Sequence, residues 1–238
     1  MHRRCLLAAA LALIVAALPH ALRAETLKIA SPIRGSWEGA IPELGKQAGI
    51  FQKHGLDLEI LYTQGGGETL QAVVSGSVDI GLSAGTLGTL GAYSKGAPVR
   101  IIAASSTGSR ELFWWVPARS PFHSMREMNG QTIRVQIMNA QMLAAKKDAV
   151  ARYLRAYDET VDWMYSSPDA VPRYLVFSGL SEPAVRLMLA EFIPKDSLQT
   201  RQILGLDESV KDAVQFKFIM APLNENQLKE LIQLPESR

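Results

Sequence analysis

Between Thr26 and Ala104 the chain alternates short, almost continuously apolar runs with stretches of helical character. The runs are TLKIAS, LDLEILY, VDIGLS and VRIIAA; between them lie Trp37 to His54, Glu68 to Ser75 and Thr86 to Lys95. Strands that are apolar on both sides are buried on both faces, so this pattern predicts a mostly parallel sheet with helices on both faces. Gly55 closes the first helical stretch, and Gly96, followed by Pro98, closes the third. A further apolar run, ELFWWVP at 111 to 117, precedes a short helix-like segment closed by Gly130 and then the strand-like QTIRV. In such a strand Trp114 and Trp115 point to opposite faces.

From Ala140 onward the period changes. Val150, Leu154, Tyr157, Val161 and Met164 recur at spacings of four, three, four and three, one apolar stripe on a helix that ends near Pro168. Further helices are predicted at Pro183 to Phe192, Glu208 to Phe218 and Glu225 to Leu231. An all-helical half with no sheet of its own needs an apolar surface to cover. The expected fold is therefore α/β, with the helical tail packed back on the N-terminal sheet and Ile133 to Met138 as an added strand.

The N-terminus changes how composition reads. His2, Arg3 and Arg4 precede an unbroken apolar stretch from Leu6 to Leu18, then Pro19 and Ala21-Leu22-Arg23-Ala24, the layout of a cleavable export signal over residues 1–24. The apolar run is shorter than the roughly 20 residues a membrane span requires. Cleavage after Ala24 removes three arginines and no acid, so the 25 basic residues fall to 22 against 23 acidic ones and the net charge moves from +2 to about −1. Scattered charge of that kind gives nucleic acid no basic face. The single cysteine, Cys5, leaves with the signal, so neither a disulfide nor a thiolate ligand is expected.

In open parallel sheets ligands sit beyond the carboxyl ends of the strands, near helix N-termini that offer free N–H groups to anions. Three loops hold that position: Arg34 to Trp37, Gln64 to Glu68 and Ser83 to Thr86. The candidate ligand-binding residues are Ser36, Trp37, Gly65, Gly66, Gly67, Glu68, Ser83, Ala84 and Thr86. Each has a plainer role as well: Ser36 and Thr86 as N-caps, the glycines as a turn, Trp37 as core, Glu68 as an acid in a first helical turn. Gly81-Leu82-Ser83-Ala84-Gly85 also fits the G-x-S-x-G of a hydrolase elbow between strand and helix. Of the histidines beyond the signal, His54 precedes this serine and His123 follows it too early for the usual order, so no catalytic residue is assigned. Gly65 to Gly67 lack the Gly-Lys-Ser/Thr of a nucleotide loop. Two distant histidines without clustered acids predict no metal site and no cofactor. The spacing of Gly85, Gly88 and Gly91 reads as a smooth helix face packed on the sheet.

The segments LKIASPIRGSWEGAIPELGKQAGIFQKHGLDLEI, GGGETLQAVVSGSVDIGLSA, GAPVRIIAASS and FWWVPARSPFHSMREMNGQTI resemble, in order and spacing, the periplasmic solute-binding proteins of ABC importers. The resemblance is to the group that takes up sulfonates, taurine, nitrate and thiamine-pyrimidine precursors. AVARYLRAYDETVDWMYSSPDAV and FKFIMAPLNENQLKELI are similar to that family's closing helices. In the family the strand matching GQTIRV leads into a second lobe; here Val135 runs directly into QIMNAQML, a shortfall of about a hundred residues, the size of one small lobe. The resemblance divides the chain into 25–135, a first lobe and the start of a second, and 136–238, a returning strand with the C-terminal helices. It implies a periplasmic, internally shortened and impaired receptor that binds a small organic anion or heterocycle and works with an inner-membrane ABC permease. The alternatives are a one-lobe periplasmic interaction protein that has lost transport, and a serine hydrolase using Ser83.

Overall fold

The computed structural model describes residues 24–32, 34–106 and 134–234. The export signal, the run at 111 to 117 with its paired tryptophans, His123 and the short helix before Gly130 lie outside the described residues. The strands are β1 (Glu25–Pro32), β2 (Leu56–Thr63), β3 (Ile80–Gly85), β4 (Val99–Ser106) and β5 (Arg134–Asn139). They form one sheet in the order β2-β1-β3-β5-β4. β1 pairs in parallel with β2 and β3, while β5 runs antiparallel to both β3 and β4. Four strands thus point one way, and β5 lies against them inside the sheet rather than at its rim. The strand from Arg134 to Asn139 is continuous across the 135/136 division.

Helices cover both faces. On one face lie α1 (Ile41–Gln47), α2 (Ile50–Lys53), α6 (Lys147–Ser166), α7 (Ala170–Ser178) and α8 (Glu182–Glu191), packed over Leu27, Ile29, Leu58, Ile80 and Met138. On the other lie α3 (Gly66–Val74), α4 (Thr86–Ser94), α9 (Leu206–Gln215) and α10 (Glu225–Leu231), over Ala30, Ala84, Ile101, Val135 and Ile137. The short α5 (Ala140–Ala145), capped by the Asn139 side chain, turns the chain from β5 into α6. The tail therefore divides, with α6 to α8 on one face and α9 and α10 on the other. Two separate stretches of the tail also cover the outer edge of β4: Ala104 N donates to Thr200 O at 2.9 Å, and Gln233 N to Ile101 O at 2.7 Å. An exposed strand edge is thereby closed. Among the described residues no helix is long and apolar enough to cross a membrane.

Three local features depart from the sequence pattern. The stretch from Trp37 to His54 is not one helix: residues up to Ala40 form turns, Pro42 opens α1, and Gly49, at φ 75°, separates α1 from α2. α7 lies between the helices predicted from the sequence, and its Pro172 sits in the first helical turn, where the missing N–H costs no helical bond. The glycines of α4 do not face the sheet as a smooth surface. A Cβ on Gly88 would meet Leu70 of α3 at 3.9 Å, and one on Gly91 the carbonyl of Phe218 in the tail at 3.1 Å.

The tightest seam between the two halves of the chain is at Gly45, where α1 crosses α6. A Cβ there would stand 2.4 Å from Thr160 Oγ1 and 2.5 Å from Phe51 Cε2, and Thr160 is fully buried. Gly45→Ala is expected to lower stability by about 1–3 kcal/mol through overpacking, more than the helix propensity it gains. Gly88→Ala, whose Cβ would make only an ordinary contact with Leu70, should stabilise by up to about 1 kcal/mol. Urea unfolding midpoints of the two variants should move in opposite directions.

Buried phenols couple stability to alkaline pH. Burial pushes Tyr62 up to about 12, with Glu43 adding to the rise and Arg34 opposing it. Burial likewise raises Tyr153, and it raises Tyr157 well above its ordinary value, with the Glu38 carboxylate adding there. An unfolded tyrosine ionises near 10, so above that pH the native state holds protons that the unfolded chain has lost. The stabilisation is complete below about pH 10 and disappears as pH rises through about 12. Urea midpoints should hold to about pH 10 and then fall towards about pH 12, with the phenolate absorbance of the fully buried Tyr153 and Tyr157 appearing only as the protein unfolds; Tyr62→Phe should soften the fall.

Candidate functional site

The carboxyl ends of β1, β2, β3 and β4 share one edge of the sheet, and because β5 runs the other way its first residue, Arg134, arrives at that edge. It pairs with Gly85 on one side and Ser106 on the other. Both flanking strands are irregular there. β3 inserts an extra residue between Gly81 and Ala84, and β4 does so between Ile101 and Ala103 and again between Ala104 and Ser106. Bulges re-aim side chains. In β3 the bulge leaves Ser83 at φ 55°, a left-handed conformation that costs a non-glycine residue on the order of 1–3 kcal/mol.

Ser83 is held there by two bonds. Its Oγ donates to Glu38 Oε1 at 2.5 Å, and its backbone N–H donates to Ser105 Oγ, on the bulged part of β4, at 3.2 Å. The second oxygen of Glu38 accepts from Arg134 Nη1 at 2.9 Å. Glu38 is fully buried, and its carboxylate is satisfied by one hydroxyl and one guanidinium. A buried carboxylate without such partners is strongly destabilising, so the loop before α1, the bulge of β3 and the start of β5 are mutually dependent.

The second loop joins them through a glycine. A Cβ on Gly66, in the first turn of α3, would stand 3.3 Å from Gly85 N and 3.6 Å from Ser83 O, so the glycine lets the two loops close up without displacing each other by a few tenths of an ångström. Thr63 and Thr69 share a hydroxyl bond of 2.7 Å, and the Glu68 carboxylate accepts from Gln64 N at 2.7 Å across the helix start. The three loops named from the sequence therefore do meet, through Glu38, Ser83 and Gly66.

The remaining candidates are spread around that centre. Ser36 Oγ accepts from Gly39 N at 3.0 Å, a capping role in the turn before α1. Trp37 is fully buried, edge-on to Tyr174 at 4.7 Å and to Tyr165 at 5.9 Å. Ala84 points into the core of the opposite face, with Val135 and Ile137. Thr86 is the first residue of α4, whose N-cap is Gly85, and it is buried. Gly65 and Gly67 face open space.

Sequence reasoning passed over Glu38, Ser105 and Arg134. The available signal was a charge inside an apolar neighbourhood, Glu38 between Trp37 and Ile41 and Arg134 between Ile133 and Val135, which demands a partner. It also passed over the role of the tail in holding the first loop. Tyr174 of α7 donates its hydroxyl to Gly35 O at 2.6 Å, and the Arg34 guanidinium lies 5.3 Å from the Tyr62 ring and 5.6 Å from that of Phe177. Among the described residues the partner of the Ser83 hydroxyl is the Glu38 carboxylate, itself held by Arg134, and not the histidine of a hydrolase triad. His54, the histidine among the described residues, is bonded to Glu159 at 2.8 Å.

Residues 43–137 match the family described as NMT1/THI5 like. Binding proteins of Brucella abortus and Brucella suis are 32% identical over 137 residues, 57% of this chain; the chain covers 40% of the length of these relatives. Among solved structures, the alkanesulfonate-binding protein SsuA from Xanthomonas axonopodis pv. citri, bound to MOPS, superposes with a TM-score of 0.65 at 12% identity, covering 88% of this chain and 98% of that one. The periplasmic aliphatic sulphonate binding protein SsuA from Escherichia coli gives 0.62 at 12% identity over 90% and 95%. A Candida albicans gene product with the generic periplasmic binding protein fold gives 0.60 at 13% over 87% and 96%. The chain therefore has the periplasmic-binding-protein fold, and residues 43–137 match the NMT1/THI5-like family model.

Proposed function

We propose that this protein is the solute-binding component of an ABC importer, exported to the periplasm by residues 1–24. In this reading it holds a small organic anion or heterocycle of the sulfonate, taurine, nitrate or pyrimidine-precursor class at the carboxyl edge of its sheet and delivers it to an inner-membrane permease. The observation that carries the reading is the meeting of three loops around Glu38, Ser83 and Gly66 at the edge where open α/β sheets bind ligands. Ser36, Gly65, Gly66, Gly67, Glu68, Ser83 and Thr86 line the loops that would surround the ligand, with Trp37 and Ala84 supporting them from the core. The likeness to two sulfonate-binding proteins supports the choice of ligand class. The shorter span relative to the Brucella proteins supports an internally shortened receptor with only one wall of the cleft.

A receptor that closes two lobes at about micromolar affinity has roughly 8 kcal/mol of binding free energy; half of that, about 4 kcal/mol, corresponds to near-millimolar binding. Calorimetry of the chain from Glu25 onward against taurine, alkanesulfonates, nitrate and aminopyrimidines is expected to give weak binding by the monomer. Tight binding by a monomer would mean that the described lobe supplies a complete site, and tight binding only by a dimer would mean that a second copy supplies the missing wall. Failure of every ligand at millimolar concentration would remove the receptor reading.

The same reading predicts that Ser83 is not a nucleophile. A serine-directed phosphonate probe should leave the wild-type protein unlabelled. Stoichiometric labelling that is lost in Ser83→Ala would replace the receptor with a hydrolase.

A further inference from the structure

Three charged or hydroxyl side chains meet at the centre of the site, and they differ in what solvent can reach. The side chain of Glu38 is fully buried and that of Arg134 is 13% exposed, while Ser83 as a residue is 6% exposed. A guanidinium presents five N–H donors in a planar fork. Among the described residues Arg134 gives one of them, from Nη1, to Glu38. Each oxygen of Glu38 already accepts one bond, from Arg134 and from Ser83, and the carboxylate has no access to water. The group at this edge with unspent hydrogen-bonding capacity and access to water is therefore the arginine and not the acid.

We propose that Arg134 is the residue that meets the ligand and that Glu38 is a built-in competitor for it, so that a ligand oxyanion must share a guanidinium already engaged by a buried carboxylate. The proposal rests on the binding reading above and adds its specificity-determining pair. Arg134 is placed for this role: it opens β5 between the ends of β3 and β4, among the three loops. A fork of this kind holds a carboxylate or sulfonate through two parallel bonds, which a lysine cannot copy. Glu38 sets the strength of that grip. In the empty protein it neutralises the guanidinium and keeps the edge folded. With ligand bound, its repulsion for a second anion weakens the complex and assists release. The pair cannot simply separate, because Glu38 has no access to water and would be left with Ser83 alone.

The signs of two substitutions test this. Glu38→Gln keeps the shape and can still bond Ser83 and Arg134, but removes the competing charge. Binding of methanesulfonate, taurine and acetate to the full chain is measured by calorimetry, with methanesulfonamide as a neutral ligand of similar shape. Glu38→Gln should tighten the oxyanions by about tenfold and leave methanesulfonamide unchanged, the scale of one charge-assisted hydrogen bond. Arg134→Gln should weaken the oxyanions by about tenfold or more, and the double variant should lose the gain made by Glu38→Gln. Arg134→Lys, which keeps the charge without the fork, should fall between, and it serves if Arg134→Gln does not fold by circular dichroism. Weaker or unchanged oxyanion binding in Glu38→Gln, or wild-type binding in both Arg134 variants, overturns the assignment of the pair while leaving the receptor reading intact. Absence of binding of every probe to both wild type and Glu38→Gln overturns the two together.

Discussion

The structure depends on the insertion of β5 between β3 and β4. Without it the sheet would lack the pairing that joins β4 to the other three strands, since β3 and β4 are each bonded to β5. Because β5 is antiparallel, it enters at the carboxyl edge of its neighbours, bringing Arg134 to the place where the loops converge, and it leaves at the opposite edge, where Asn139 caps α5 and the chain turns into α6. The lobe edge and the helical tail are therefore positioned by one six-residue strand. At the far edge Lys146 and the backbone N–H of Lys28 satisfy the buried Asp79, so that end of the sheet is fastened to the start of α6 as well.

A buried carboxylate organises the other end. The buried Glu38 carboxylate depends on Ser83 and Arg134 as its hydrogen-bond partners, and each of those is in place only because of a distortion elsewhere. Ser83 reaches it through a bulge and a left-handed backbone; Arg134 reaches it through the reversed strand. The strain at Ser83 is offset by the bonds that it makes possible, which is how unfavourable backbone persists at binding edges.

The helical half takes part in the site as well as in the core. α7 anchors the first loop by the Tyr174 bond to Gly35 and by its rings around Trp37 and Arg34, while α9 and α10 support α4 from the other face, where Phe218 closes on Gly91. A chain that alternates strand and helix and then turns wholly helical can reach a stable single lobe only by such division, because each sheet face has to be covered.

What the sequence determined by itself was the set of elements and their polarity. Continuous apolar strands, glycine stops and the stripe on α6 are local signals of buried β and amphipathic α structure, and they account for β1 to β4, α3, α4, α6, α8, α9 and α10 to within a few residues. The three ligand-edge loops were also legible, since the carboxyl ends of parallel strands follow from strand direction alone. Strand order was not. Nothing in RVQIMN states that it lies inside the sheet and reversed, because pairing partners are chosen by the burial of both faces together and not by the strand's own residues. For the same reason the centre of the site escaped the pattern: Glu38, Ser83, Ser105 and Arg134 are far apart in the chain, and their meeting depends on bulges that appear only when β5 is paired on both sides. Trp37, Ser36 and Glu68 could be read equally as site or scaffold, and tertiary packing decided where each side chain points.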